Sequence, residues 1–399
     1  MTVATAYPNL SGIEPSATLE MSARAAALST VDGAPVLSLS AGEPDFPTPD
    51  YVVEAAIRAI REGETRYPPA AGIPELRAAV AAYLNESCGG AYDPSRILVS
   101  VGAKQALFDA LFTLFGPGDR VAFCAPYWVS YPAMVRLARA EPVTIETGPE
   151  SGFKLTPEGL EEAAAEGLSG VLLNSPSNPT GATYDAEELG ALLDVAESHD
   201  VWVLSDEIYN EILYRPAFAS VAPRADESAK IVLINGFSKA YAMTGWRVGY
   251  AAAPGELVEA MARLQGHVNT NTARPSQFAA LGALGDAEAR ARAIGEMTTA
   301  FERRRDLLLD GVASIAGLDA LEPDGAFYLW VDARRWCEAA GGGSTALCLD
   351  LLENERVAIV PGAAFGTEGW VRISFAASDD VLDEALERLT DAAERLGVA

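Results

Sequence analysis

Short apolar runs punctuate the middle of the chain: Ile97-Leu98-Val99-Ser100-Val101, Val121-Ala122-Phe123-Cys124, and the stretches 143–145, 171–173, 201–204 and 231–234. In most of them the apolar residues are consecutive rather than alternate, as in strands buried on both faces. Helical or turn-forming stretches separate most of them, which predicts a mostly parallel sheet covered by helices. Ahead of the sheet, 17–28 reads as a helix. Val36-Leu37-Ser38-Leu39 reads as a strand running into the turn Ala41-Gly42-Glu43-Pro44-Asp45-Phe46. Helices are expected over 51–62, over 74–86 with Pro74 in the first turn, and over 105–115, where Gly102-Ala103 opens the helix. An amphipathic segment near 255–263 and helices across 276–315 lead out of the sheet. Ala326-Phe327-Tyr328-Leu329-Trp330-Val331 and Trp370-Val371-Arg372-Ile373-Ser374-Phe375 read as antiparallel strands, and 380–396 as a closing helix. The predicted fold class is α/β. A large domain over 47–299 is joined by a smaller α/β domain built from both termini, its first part and an N-terminal arm over 1–46 and its remainder over 300–399.

Composition narrows the function. At 399 residues, 49% hydrophobic and 21% charged, the chain has ample material for a core. Charges, glycines or prolines interrupt every apolar run before it reaches membrane-spanning length, and the N-terminus lacks the basic and apolar regions of a signal peptide. Cys88, Cys124, Cys337 and Cys348 are far apart and show no zinc spacing, so free thiols in a reducing cytoplasm are expected. A net charge of −27 argues against nucleic acid and anionic membranes as partners. With only His199 and His267 present, metal sites built on several histidines are excluded, and a general base is expected to be a lysine or a carboxylate.

Polar residues gather at three strand ends. The run 171–173 leads into Asn174-Ser175-Pro176-Ser177-Asn178-Pro179-Thr180-Gly181, 201–204 into Ser205-Asp206-Glu207-Ile208-Tyr209, and 231–234 towards Lys239. Open α/β sheets bind ligands at the carboxyl ends of their strands. Neighbouring strands would therefore bring Asn178, Asp206, Tyr209 and Lys239 to one edge, with Lys104 facing it from the helix after 97–101. Lysine is scarce: Lys104, Lys154, Lys230 and Lys239 stand against 25 arginines among the 29 basic residues. At 239 the chain keeps an amine, which can lose its proton and attack a carbonyl where a guanidinium cannot.

Pyridoxal phosphate is the chemistry that needs this set. Its aldehyde takes a lysine, its ring nitrogen an aspartate that keeps it protonated, and its ring oxygen an Asn and a Tyr. Its phosphate takes the N–H groups of a helix start, here Gly102-Ala103-Lys104, and a guanidinium such as Arg247. Singly, the residues have simpler readings: 174–181 as a turn-rich loop, Asp206-Glu207 as a helix cap, Trp128 as core, Arg372 as a sheet-surface charge.

Together they carry a resemblance. Ala41–Phe46, Tyr67-Pro68-Pro69-Ala70-Ala71-Gly72, Gly102-Ala103-Lys104-Gln105-Ala106-Leu107-Phe108, Tyr127-Trp128-Val129-Ser130-Tyr131-Pro132, 174–181, 205–209, 239–250 and 371–375 occur in order. In this the chain resembles the fold-type I pyridoxal-phosphate aminotransferases, and among them the bacterial aspartate aminotransferases of subgroup Ib, over about residues 13–390. The resemblance implies a seven-stranded, mostly parallel sheet and a homodimer whose active sites are shared between subunits. It implies that Lys239 carries the Schiff base and moves the proton, that Asp206 pairs with the ring nitrogen, and that Asn178 and Tyr209 bind the ring oxygen. Trp128 would stack on the ring; Gly102, Ala103, Lys104, Ser238 and Arg247 would surround the phosphate, with Tyr67 reaching the neighbouring subunit's phosphate. Many relatives have a serine three residues before the lysine, where this chain has Gly236; Ser238 or a backbone amide would substitute. For the substrate, Arg372 would hold the α-carboxylate beside Asn178, Trp128 and Gly42, while Lys104, with the Pro15–Thr18 segment and its Thr18, would meet a second carboxylate. The implied reaction is ping-pong transamination between aspartate and 2-oxoglutarate. Prephenate or aromatic substrates are the alternative, and a lyase on the same scaffold is the competing class.

Overall fold

The computed structural model describes residues 10, 12–31, 35–215 and 218–398. A helix at Ala17–Val31 precedes the short strand β1 (Leu37–Ser38). The apolar runs become β2 (Ile97–Ser100), β3 (Arg120–Ala125), β4 (Glu141–Glu146), β5 (Gly170–Asn174), β6 (Trp202–Asp206) and β7 (Ile231–Gly236), and β8 (Gly249–Ala252) follows. They form one seven-stranded sheet in the order β2-β8-β7-β6-β5-β3-β4. Every pairing is parallel except those of β8, which is antiparallel to both β2 and β7. Gly249-Tyr250-Ala251-Ala252 contains no β-branched residue, so the sequence pattern gives no sign of β8. It is a strand because it lies fully buried between two partners. Its reversal has a consequence for the site: β8 starts at the edge where the parallel strands end, and so delivers Arg247 to that edge.

Alternate residues of the strands feed two different cores, as a sheet buried on both faces requires. Val171, Val203 and Leu233 pack with Val52, Leu76, Val80 and Leu192 on one side. Leu172, Leu204, Val232 and Ile234 pack with Leu107, Leu111, Val135 and Met261 on the other.

The remainder builds a second sheet. Strands β9 (Asp319–Leu321), β10 (Tyr328–Asp332), β11 (Val357–Ala358), β12 (Val360–Pro361) and β13 (Trp370–Ser374) complete the set. Four of them pair antiparallel in the order β12-β13-β10-β9, while β11 pairs parallel with β1, which joins the N-terminal segment to the C-terminal part. Helix Asp379–Leu396 closes this core with Leu382, Ala385, Leu389 and Ala392 on one face. Helix Ala287–Ser314 serves both cores, with Ile294 in one and Phe301, Leu308 and Val312 in the other. Its buried Arg304 forks onto Asp45 at 2.8 and 2.9 Å and reaches Asp379 through Nε at 3.2 Å, which pins the turn that follows Gly42. Among the described residues, no helix is long and apolar enough to cross a membrane.

One buried carboxylate works against stability at neutral pH. Asp109, on helix Ala103–Leu114, has no exposed surface; Oδ1 accepts from Gln105 at 2.7 Å and Oδ2 has no partner among the described residues. Burial pushes its pKa up to about 7. The native state therefore keeps a proton that the unfolded chain releases, so the contribution is most favourable at acid pH and is lost as pH rises towards the folded value. Between about pH 5 and about pH 8 the protein should lose roughly 2–3 kcal/mol relative to Asp109→Asn, which has no carboxyl to ionise. Urea unfolding of the two proteins at both pH values measures this, and equal slopes would show that Asp109 does not titrate there.

Candidate active site

Adjacent strands β5, β6 and β7 end on a cavity of about 550 Å³. The first helix contributes Thr18 and Ser22 to its wall, the segment after β1 contributes Ser40 to Glu43, and β10 and β13 contribute Tyr328 and Arg372. Of the residues singled out from sequence, Gly42, Ala103, Lys104, Trp128, Asn178, Asp206, Tyr209, Ser238, Lys239, Arg247, Arg372 and Thr18 all line this cavity. Gly102 lies just behind the wall, and Tyr67 stands outside it, 86% exposed.

Lys239 follows β7 and donates its Nζ–H to the Gly42 carbonyl, with the Tyr209 and Phe327 ring centres 5.8 and 5.9 Å away. Burial pulls its pKa down to about 8; the Glu43 carboxylate opposes this, and the Arg372 and Arg247 charges add to it. Asp206 ends β6 and is 6% exposed. Its Oδ2 accepts from the Tyr131 hydroxyl at 2.9 Å, and its Oδ1 faces the Ile208 N–H at 3.4 Å. Burial pushes its pKa up to about 6, opposed first by the Tyr131 hydrogen bond. It is therefore ionised at neutral pH and takes a proton in mild acid. Asn174, at the end of β5, fixes both neighbours: its amide donates to the Asp206 carbonyl at 2.9 Å, and its Oδ1 accepts the Asn178 N–H at 2.8 Å.

Arg372 is 1% exposed. Its Nη1 donates to Asn178 Oδ1 at 2.9 Å and its Nη2 to the Ser40 carbonyl at 2.7 Å, with the Tyr328 and Phe365 rings 4.3 and 5.2 Å from the guanidinium carbon. Its Nε has no hydrogen-bond partner among the described residues, and neither partner it has is an acid. A buried cation without an anion is costly, so this socket suits an arriving carboxylate. Tyr209 and Tyr328 share a hydroxyl–hydroxyl bond of 2.7 Å beside it.

The far end of the cavity suits a phosphate. Helix Ala103–Leu114 starts without a side-chain cap, so its first N–H groups are free to bind an anion. Gly102 adopts φ +81°, and a Cβ there would stand 2.5 Å from Arg247 Nη2, so the absent side chain leaves the guanidinium its seat. Lys104 is exposed as a residue, but its Nζ lies 4.7 Å from the Trp128 ring centre; partial loss of water there first, then the Arg247 charge, lowers its pKa. The glycine at 236 is forced by packing: a Cβ there would stand 2.8 Å from Gly249 Cα across the β7–β8 pair. No side chain fits, and the hydroxyl this segment offers the cavity is that of Ser238.

Sequence reasoning missed Tyr131, Tyr328, Ser40 and Glu43. Tyr131 and Glu43 lay inside quoted motifs, and Tyr328 in a predicted strand, yet a tyrosine in an apolar segment reads as core. Ser40 acts through its backbone carbonyl, which no side-chain pattern reveals.

Comparison with known proteins places this geometry. The sequence pattern of the family described as aminotransferase class I and II matches residues 34–389. A probable aspartate/prephenate aminotransferase of Aquifex aeolicus is 41% identical over 389 residues, covering 97% of this chain and 98% of the relative. An aspartate aminotransferase of Rhizobium meliloti is 43% identical over 397 residues, covering 97% of this chain and 96% of the relative. The solved structure of an aspartate aminotransferase from Thermus thermophilus with maleate superimposes with a TM-score of 0.92 at 42% identity, covering 96% of this chain and 98% of the other.

Proposed function

We propose that this chain, which belongs to the class I and II aminotransferases, transfers the amino group between aspartate and 2-oxoglutarate with pyridoxal 5'-phosphate as its cofactor. The observation that carries the reading is the cavity itself. It sets a lysine amine of lowered pKa and a buried aspartate, from the carboxyl ends of adjacent strands, opposite a buried β13 arginine that has no acid partner among the described residues. The donor set fits the cofactor: an uncapped helix start, a glycine seat for Arg247, and a lysine whose hydrogen bond goes to the neutral Gly42 carbonyl.

Pyridoxal phosphate, when bound, supplies an electron sink that weakens the Cα–H bond of an amino acid. Asp206 would keep the ring nitrogen protonated, Asn178 and Tyr209 would hold the ring oxygen, and Trp128 would cover the ring face. Gly102, Ala103, Lys104, Ser238 and Arg247 would hold the phosphate. Lys239 Nζ would bind the aldehyde and then move the proton from Cα. Tyr67, exposed and outside its own cavity, would reach the phosphate of a second copy, in a homodimer acting in the cytoplasm. A core of its own, built chiefly from Met21, Leu37, Phe301, Leu329, Val371 and Leu382 and reaching Ile208, Tyr209 and Ile212, supports the division of the chain into large and small domains.

The substrate reading rests on two cations. Arg372 would take the α-carboxylate as a fork, and Lys104, with Thr18 and the Thr18–Ser16 hydroxyl pair at 3.0 Å, would take the second carboxylate. The Thermus thermophilus structure is one with maleate, a dicarboxylate, which supports this arrangement. The name of the Aquifex aeolicus relative adds prephenate, which also carries two carboxylates, as a second acceptor to assay. Lys104→Ala tests the reading. Truncating one partner of such a pair costs roughly 2–5 kcal/mol when water is excluded; Lys104 is exposed, so the low end applies, about 30-fold in kcat/KM for aspartate. Alanine, with no second carboxylate, should be nearly unaffected. A parallel drop for both amino acids at saturating cofactor would assign Lys104 to the phosphate alone.

A further inference from the structure

Tyr131 touches two residues of the site from behind. It opens helix Tyr131–Leu137, three residues after Trp128, and is 2% exposed. Its hydroxyl donates to Asp206 Oδ2 at 2.9 Å. Its ring meets Trp128 edge-on, with centroids 5.4 Å apart at 86°, and backs onto Phe123 of β3 at 6.2 Å. We propose that Tyr131 is the positioning residue of this site, holding Asp206 in its ionised, aimed state with the O–H and fixing the Trp128 plane with the ring. The proposal rests on the reading that Asp206 faces the cofactor's ring nitrogen and Trp128 its ring face.

The argument is one of donor supply. A carboxylate out of water stays ionised only if donors replace the water it has lost. Among the described residues, the donors facing the Asp206 carboxylate are few. From its own segment come the distant Ile208 N–H and Tyr209, whose hydroxyl is engaged with Tyr328. Glu207, next in the chain, is a second anion, held elsewhere by Ser205, Ser220 and the Val221 N–H. From the segment after β7 comes the Lys239 charge, and Lys239 has other work in the reaction. That leaves the Tyr131 hydroxyl as the close neutral donor. It stays a donor because burial first, and then the Asp206 charge, keep the phenol well above its ordinary pKa. Cys124 on β3 faces the phenol too, and its thiol is itself raised by burial to about 11.

The two functions separate by mutation. Tyr131→Phe removes the O–H and keeps the ring against Trp128; Tyr131→Leu removes both. In the cofactor-free full-length protein labelled with ¹³C at aspartate side-chain carboxyls, the Asp206 signal is the one missing from Asp206→Asn. Tyr131→Phe should raise its titration midpoint by about one to two pH units, the worth of a hydrogen bond to a charged group. In the loaded enzyme the protonated ring nitrogen would itself help to hold the Asp206 charge, so kcat/KM for aspartate should fall by about tenfold or less, and further near pH 6 than near pH 8. Tyr131→Leu should in addition weaken cofactor binding at every pH, because Trp128 loses its support. An unchanged Asp206 midpoint in Tyr131→Phe overturns the proposal, as does a loss of activity equal at all pH values. The reading beneath it fails differently: an Asp206→Asn enzyme with normal turnover would show that Asp206 does not serve the cofactor, whatever Tyr131 does to its titration.

Discussion

Lys239→Ala is expected to lose turnover by about four orders of magnitude or more while remaining folded and able to bind its cofactor. A positioned general base alone contributes roughly 10²–10⁴-fold, and this amine is also the group that would hold the aldehyde. No other lysine is placed to substitute: Lys154 is paired with Glu188 and Lys230 with Asp200, while Lys104 lies over Trp128. Lys239→Arg should be equally inactive, because a guanidinium neither forms the bond to the aldehyde nor gives up its proton near neutrality. Treating the wild-type enzyme with borohydride should leave the cofactor's mass on the peptide that contains Lys239, and the variants should carry none. Mass on the Lys104 peptide instead would overturn the assignment.

The same substitution carries a stability prediction of known sign. Burial lowers the Lys239 pKa to about 8 from the ordinary lysine value, so the unfolded chain binds the extra proton between those two values. The penalty is therefore greatest below the folded value and fades as pH rises above it. Near pH 7 Lys239→Ala should unfold no earlier than the wild type, since it removes an ammonium whose hydrogen bond is to the neutral Gly42 carbonyl. A protein that loses activity without losing stability is one whose lysine is kept for chemistry.

What the sequence made legible follows from how local each signal was. Consecutive apolar residues marked β2, β3 and β5 to β7, because burial on both faces leaves few polar positions to blur the run, whereas the half-exposed edge strand β4 carries Thr144 between Val143 and Ile145. The polar residues just past those strands could then be set on one edge by the sheet rule alone. β8 was not legible, since Gly and Ala form a strand only when two neighbours enclose them. Nor was the parallel pairing of Leu37 with Val357, whose partners lie at opposite ends of the chain. Tyr131 and Tyr328 are buried, and the partners of their hydroxyls are set by tertiary packing, which no local pattern reports. Arg372 shows the same limit. Alone, in an apolar strand, it reads as a surface charge; the fold turns it inward, beneath Tyr328 and onto Asn178.

That inward turn sets the expectation for Arg372→Leu: kcat/KM should fall about 30- to several-thousand-fold for every amino acid and oxo acid alike, the range for truncating one side of a desolvated charge pair. The uniformity is the informative part. Every substrate of this reaction carries an α-carboxylate, so aspartate and alanine should lose equally, in contrast to the selective loss expected of Lys104→Ala. Arg372→Lys keeps a charge but not the planar fork, and its ammonium cannot serve Asn178 Oδ1, the Ser40 carbonyl and a carboxylate in the present geometry, so it should recover only part of the loss. The structural cost should be small. Leucine removes a buried cation that no acid balances, which favours the fold, while Asn178 Oδ1 and the Ser40 carbonyl lose their donors, at about 1–3 kcal/mol each. Those terms oppose one another, so the unfolding midpoint should move little, and cofactor absorbance should persist if Arg372 meets the substrate and not the cofactor, as proposed. Measuring kcat/KM for aspartate and alanine beside cofactor absorbance and urea unfolding separates the roles. A loss confined to aspartate would assign Arg372 to the second carboxylate, and a loss of cofactor together with activity would make it part of the cofactor's own support.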